Sequence, residues 1–173
     1  GMAKIFEAMG AAAPKAREDV AWVDRQIHGP AGAPDLTVRL YRPPGAAGKR
    51  PGVLYIHGGG FCVGSIASEH PSAAKVCADV DAVVASVEYR LAPEHPFPAG
   101  LEDCYAALQW LHAEAAHLGV EPDHIGIIGQ SAGGGLAAGL ALLARDRGGP
   151  SICYQVLGIP ELDDRLETPS MRE

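Results

Sequence analysis

The sequence has no apolar stretch of the roughly 18 residues that a membrane-spanning helix requires. Its longest apolar run, residues 136–144, is interrupted by Gly139 and reads as part of a helix. Excess positive charge is also missing: 14 Lys and Arg stand against 21 Asp and Glu, a net charge of −7. That balance lacks the electrostatic footprint with which proteins hold nucleic acid or anionic lipid, so neither is expected as a partner. The four cysteines, Cys62, Cys77, Cys104 and Cys153, are far apart and form no C-x-x-C pair. A disulfide framework and a clustered zinc site are therefore not indicated. All four fall in apolar segments and are expected to be buried, reduced thiols of a cytoplasmic protein. The start of the chain lacks a hydrophobic signal core, and Gly1 ahead of Met2 looks like the remnant of an added tag.

What is present fits one globular domain. The chain has 173 residues, 47% hydrophobic and 20% charged, with 22 Gly and 14 Pro implying many turns. Residues 2–20 read as a short helix followed by a linker. Segments 22–28 and 36–41 alternate apolar and polar residues with period two around the turn-rich Gly29-Pro30-Ala31-Gly32-Ala33-Pro34, which predicts an antiparallel hairpin. Pro51-Gly52-Val53-Leu54-Tyr55-Ile56 is a continuous apolar run, as expected of a strand buried on both faces. Beyond it the pattern alternates: helix 69–80, strand 82–87, helix 100–118, strand 125–128, helix 131–145, strand 152–157. Such alternation defines an α/β fold with a mainly parallel sheet flanked by helices. The polar stretch 158–173 reads as a loop.

Two segments carry chemistry. Gly129-Gln130-Ser131-Ala132-Gly133 lies between a strand and a helix, the context in which G-x-S-x-G counts. A turn this sharp needs small residues two before and two after the serine, and Gly129 and Gly133 supply them. The turn lifts the Ser131 hydroxyl to a helix N-terminus, where free N–H groups favour developing negative charge, so Ser131 is the candidate nucleophile. A capping or phosphate-binding turn is the competing reading. The second segment, His57-Gly58-Gly59-Gly60, begins where the strand ending at Ile56 stops, so it presents backbone N–H groups at the carboxyl edge of the sheet. With the serine turn downstream, it reads as an oxyanion loop: Gly58 and Gly59, together with Ala132, are the candidate donors, and Gly60 is less favoured.

These residues resemble the hormone-sensitive-lipase branch of the α/β-hydrolase superfamily, a group of bacterial esterases. His57-Gly58-Gly59-Gly60-Phe61 is similar to its oxyanion motif, and residues 89–99, Tyr89-Arg90-Leu91-Ala92-Pro93-Glu94-His95-Pro96-Phe97-Pro98-Ala99, resemble the segment after its fourth strand. The serine turn is similar to the family's G-D-S-A-G-G, with Gln130 in place of the acid. The resemblance runs from about Trp22 to Ser170. It implies hydrolysis of short-chain carboxylic esters through a serine acyl-enzyme, without metal or cofactor, with His57 as organiser of the oxyanion loop. It also implies residues 1–20 as a shortened amino-terminal cap or linker and 21–173 as a partial hydrolase domain lacking the last strands and helices.

The departures from the family are equally specific. The family's triad runs Ser, then Asp, then His, yet all seven histidines, His28, His57, His70, His95, His112, His117 and His124, precede Ser131. The acids after the serine are Asp146, Glu161, Asp163, Asp164, Glu167 and Glu173. Asp163 and Asp164 follow the sixth strand, whereas the family's acid follows the seventh. Among alternative bases His57 is nearest in topology, at the same sheet end as Ser131, and His95 sits in the proline-rich segment. His70, His112 and His117 fall on helices, where a solvated or packed side chain is expected. A serine without a base is a poor nucleophile. Three readings therefore stand: a serine carboxylesterase whose triad Asp and His are absent from this chain, a catalytically inactive small-molecule-binding protein, or a truncated product without activity. The apolar strand from Ile152 to Leu157 should leave an open sheet edge, a site for self-association or for a missing carboxyl-terminal fragment.

Overall fold

A computed structural model describes residues 17–45, 48–165, 167 and 169. The expected hairpin is formed by β1 (Ala21–Ile27) and β2 (Leu36–Arg42), paired antiparallel with Trp22 opposite Tyr41 and Asp24 opposite Arg39. The chain continues through β3 (Arg50–Ile56), α1 (His70–Val80), β4 (Val83–Val87), α2 (Ala99–Ala113) and the single-turn α3 (Ala115–Leu118). It ends with β5 (Val120–Gln130), α4 (Ala132–Asp146) and β6 (Tyr154–Gly158). Among the described residues the strands form one sheet in the order β1-β2-β4-β3-β5-β6. From β4 to β6 all pairings are parallel, and the hairpin joins through the antiparallel β2–β4 pair.

The apolar run in β3 follows from a sheet covered on both faces. Leu54 and Ile56 point into the layer that holds Leu108 and Leu111 of α2 and Leu136 and Leu140 of α4. Val53 and Tyr55 point the other way and pack with Ala73, Ala74 and Cys77 of α1. Leu54 and Ile56 are fully buried, and each such side chain contributes roughly 1.5–3 kcal/mol of burial free energy. This packing fixes the carboxyl ends of β3 and β5 side by side, with Ile56 in register with Gly129.

Several boundaries differ from the sequence reading. The expected helix 100–118 is divided at Glu114 (φ −88°, ψ 1°), and its second part stops at Gly119 in the left-handed region, with Ala115 and Leu118 buried. Strand β5 starts at Val120 and not at residue 125: Val120 pairs with Arg50, and the strand then swings out before Ile125 pairs with Gly52. The polar Glu121-Pro122-Asp123-His124 lies in that excursion, which is why it reads as loop. Strand β6 begins at Tyr154 and not at 152, because Ile152 packs into the core and Cys153 N–H donates to the Ile125 carbonyl (2.9 Å) ahead of the regular ladder.

The cysteine expectation needs a larger correction. Cys77 and Cys104 are buried, and burial pushes the Cys77 thiol up to about 12 and raises that of Cys104 as well. Cys62 and Cys153 are exposed, because one sits in the turn after the glycine loop and the other just before the outer strand. The expected cap lies mostly outside the described residues, which begin at Arg17.

Candidate active site

Ser131 sits at φ 56°, ψ −122°, between the end of β5 and the start of α4. A serine at positive φ costs of order 1–3 kcal/mol, so it persists only where its surroundings over-determine it. Here two glycines do so. A Cβ on Gly129 would overlap the Gly133 carbonyl, and one on Gly133 would overlap the carbonyl oxygens of Ile56 and His57. Strand, helix and β3 therefore meet backbone to backbone. The Ser131 N–H donates to the Gly158 carbonyl at the end of β6 (2.8 Å), and the Ser131 carbonyl accepts from Gly135 N–H (3.0 Å) and Glu161 N–H (3.4 Å). The hydroxyl donates to Glu161 Oε1 at 2.9 Å.

The glycine loop lies directly beside this turn. A Cβ on Gly58 would stand 3.7 Å from Ser131 Cβ and 2.8 Å from the Gln130 carbonyl oxygen. Gly59 has φ 128°, and its carbonyl accepts from Cys62 N–H (3.2 Å) and Val63 N–H (3.0 Å), which curls the loop back on itself. Gly60 (φ 58°) stands in open space. The structure thus brings together Gly58, Ser131 and the first residue of α4, Ala132; Gly59 is one residue further along the same loop.

His57 is fully buried beneath the loop. Its Nδ1 lies 2.8 Å from the Gly58 carbonyl, so this nitrogen carries the proton and donates. Its Nε2 is buried without a hydrogen-bond partner among the described residues. The ring stacks on Tyr89 (centroids 4.1 Å apart, planes at 16°), whose hydroxyl donates to the His57 carbonyl at 2.9 Å. Burial holds the His57 imidazole below the usual histidine range, against the opposing influence of the Gly58 carbonyl, Glu88 and Glu69. His57 is thus a buried ring held between the Gly58 carbonyl and Tyr89.

The segment after β4 braces this arrangement. Ala92 N–H donates to the Phe61 carbonyl (2.9 Å). Arg90 grips the fully buried Asp103 of α2 through its guanidinium, and its N–H donates to Asp103 Oδ2 at 2.9 Å. Residues 89–99 stand out in the sequence as a motif, but nothing local in it points to the contacts of Tyr89 or Asp103. An aspartate on the apolar face of a helix was the signal available for Asp103. In the sequence Glu161 is one of six acids after the serine, and only the fold shows which of them meets Ser131. Among the described hydrogen bonds, none joins a histidine to the Ser131 hydroxyl. His95 is exposed, and His70 is wedged between the Trp22 and Tyr41 rings.

A hollow of about 540 Å³ lies away from the serine, between the end of α4 and the start of β6, with Arg145, Gly149, Ile152 and Tyr154 in its walls. It is open and belongs to the outer flank of the sheet. Among the described residues no group of three or more His, Cys, Asp or Glu could hold a metal ion, and no helix is long and apolar enough to cross a membrane.

A parallel sheet with a strained serine turn and a glycine loop at its carboxyl edge defines a class, and residues 53–173 match the sequence pattern of the alpha/beta hydrolase fold. The chain belongs to that family, in its hormone-sensitive-lipase-like branch. It is 43% identical over 151 residues to carboxylesterase NlhH of Mycobacterium tuberculosis, covering 87% of this chain and 47% of that protein. To the carboxylic ester hydrolase LipN of the same organism it is 41% identical, covering 98% of this chain and 45% of the relative. Among solved structures a bacterial heroin esterase superposes with a TM-score of 0.90 at 45% identity, covering 99% of this chain and 54% of that one. The esterase of Pyrobaculum calidifontis does so with 0.79 at 40% identity, covering 93% and 49%. The chain spans about half the length of the curated relatives it matches.

Proposed function

We propose that this chain carries the nucleophile and oxyanion loop of a serine carboxylesterase acting on short-chain acyl esters. The observation that carries the reading is Ser131 at positive φ, locked by Gly129 and Gly133 with Gly58 packed against it. In the proposed reaction the Ser131 oxygen attacks the ester carbonyl and gives its proton to the family's triad His, which together with the triad Asp is absent from this chain. The N–H groups of Gly58, Gly59 and Ala132 receive the negative charge that develops on the carbonyl oxygen. One well-aimed donor of this kind contributes on the order of 3 kcal/mol to the transition state. His57 positions the loop and does not take the serine proton, because its Nδ1 is engaged by Gly58 and its Nε2 is sealed in the interior. No metal or cofactor enters the proposed reaction. The names of the relatives, carboxylesterase and ester hydrolase, support the reaction class.

A second reading, an inactive binder of small esters, is favoured by one observation: among the described hydrogen bonds the Ser131 hydroxyl meets Glu161 and no histidine. Intact-mass measurement after a fluorophosphonate probe, with p-nitrophenyl acetate and butyrate hydrolysis, separates the two. Labelling and turnover that vanish in Ser131→Ala support the esterase. Equal behaviour of chain and variant supports the binder. Further elements of the proposal are a cytoplasmic location, no nucleic-acid or membrane partner given the net charge of −7, and residues 21–173 as the hydrolase domain. The last is self-association, or capture of a further fragment, at the edge of β6 that is unpaired among the described residues.

A further inference from the structure

Tyr89 meets the glycine loop from behind. It stands two residues past the end of β4 at Val87, and because Val87 is in register with Ile56 the ring emerges beside His57. Two anchors hold it there. The next residue, Arg90, is tied to Asp103 of α2 through both its backbone N–H and its guanidinium. A Cβ on Gly100 would stand 3.1 Å from Tyr89 Cδ2, so α2 packs directly on the ring. Burial pushes the Tyr89 phenol up, so the hydroxyl keeps its proton and donates to the His57 carbonyl at 2.9 Å.

That carbonyl belongs to the peptide unit whose N–H is that of Gly58. The next unit is engaged in the same way: the Gly58 carbonyl accepts from His57 Nδ1 at 2.8 Å, and the N–H of that unit is Gly59 N–H. The third candidate donor, Ala132 N–H, shares its unit with the Ser131 carbonyl, which accepts from Gly135 N–H (3.0 Å) and Glu161 N–H (3.4 Å). Among the described backbone hydrogen bonds neither Gly58 N–H nor Gly59 N–H donates. Each candidate oxyanion donor is therefore backed by a hydrogen bond at the oxygen of its own peptide. Such a bond draws electron density from the nitrogen and strengthens the N–H as donor, most where water is excluded. Tyr89 and His57 are both buried.

We propose that Tyr89 is a positioning residue for ester hydrolysis: its hydroxyl polarises the His57–Gly58 peptide and so strengthens Gly58 N–H as a donor to the developing oxyanion. This rests on the esterase reading above. Tyr89 makes and breaks no bond, and its proton stays on the phenol throughout. Because charge on the carbonyl oxygen is greatest in the transition state, a weaker donor lowers kcat and leaves KM in place. Loss of a whole donor costs about a hundred- to a thousandfold in kcat. Polarisation by one neighbouring bond accounts for roughly a tenth to a third of that on a logarithmic scale, or about threefold in rate.

The test is Tyr89→Phe, which keeps the ring and its stack on His57 and removes the hydroxyl alone, with thermal melts to verify the fold. Two readouts are taken. The first is the amide proton shifts of Gly58 and Gly59 in the 173-residue chain; the second is p-nitrophenyl butyrate hydrolysis by the full-length protein that contains this sequence, with Ser131→Ala as control. Expected are an upfield shift larger at Gly58 than at Gly59 and a fall of about threefold in the Ser131-dependent kcat at unchanged KM. 3-Fluorotyrosine at position 89, a stronger donor, should move both readouts the opposite way, and it carries the test if Tyr89→Phe fails to fold. An unchanged kcat, or a Gly58 shift no larger than that of Gly59, overturns the polarising role while the esterase reading stands. A loss of kcat matched by a rise in KM, or shared by the fluorotyrosine protein, also overturns it, since Tyr89 then only braces the loop. A Ser131→Ala rate equal to the parent overturns the esterase reading and takes the proposal with it.

Discussion

Strands β5 and β6 are neighbours in one sheet, parallel and similarly apolar, yet they differ in what surrounds them. In β5, Ile125 and Ile127 are fully buried, between β3 on one side and β6 on the other, with α4 packed over them. In β6, Tyr154 is 67% and Val156 39% exposed, and among the described residues the strand has one neighbour. An apolar alternation makes a strand; burial comes from the layers that cover it. The candidate site straddles the two. Ser131 grows from the end of β5, a strand paired on both sides, while Gly158 and Glu161 approach it from the end of β6.

The comparison is broken most severely at the serine turn. Gly133→Val would drive a side chain into the carbonyl oxygens of Ile56 and His57, rigid backbone that cannot step aside. A destabilisation of about 3 kcal/mol or more is expected, seen as a lower urea midpoint together with loss of probe labelling at Ser131. A smaller break contrasts the strands directly. Ile127→Ala removes a fully buried side chain and should cost about 3 kcal/mol. Val156→Ala, at a half-exposed edge position, should stay within about 0.5 kcal/mol. Equal costs in denaturant titrations would mean that β6 is covered in solution.

The same contrast explains what could be read from the sequence. The hairpin, the buried β3 and the order of elements were legible, because the period-two alternation in residues 36–41 matches the burial of Leu36, Val38 and Leu40, and the continuous apolar character of Val53-Leu54-Tyr55-Ile56 matches a strand buried on both faces. The serine turn was legible because its glycines are a steric requirement within five residues. The start of β5 was not: Glu121-Pro122-Asp123-His124 carries the polarity of a loop, and only the long-range pair Arg50–Val120 makes it part of a strand. Exposure of Cys62 and Cys153 was hidden for a related reason, since local apolarity says nothing about whether a covering layer exists. Glu161 was invisible as a partner of Ser131 because 30 residues separate them and only the β5–β6 pairing closes that gap.

A milder test concerns His57 beneath the oxyanion loop. Burial lowers its affinity for protons in the folded chain, so the unfolded chain binds more protons in the histidine range. The stability this contributes is fully present above the unfolded value of about 6.5 and is lost as pH falls from there toward the depressed folded value. His70, also lowered by burial and by Arg39, acts in the same direction. Urea midpoints should therefore fall between neutral and mildly acid pH, with a shallower fall in His57→Gln and, separately, in His70→Gln. A parallel slope in both variants would assign the acid loss to the carboxylates instead.

The smallest effect on folding, and the sharpest on assembly, is expected at the outer edge of β6, which is unpaired among the described residues. Unpaired strand edges with exposed apolar side chains invite pairing between copies, and lysine at such positions blocks it. The double variant Tyr154→Lys, Val156→Lys replaces two exposed side chains, so its folding free energy should change by no more than about 0.5 kcal/mol. Its sedimentation should nevertheless shift toward the monomer wherever the parent chain associates. If the parent associates and the lysine variant does so equally, the contact lies elsewhere. The exposed Leu142 of α4 would then be the next surface to charge, because it lies on the helix that packs against β6 and is 54% exposed.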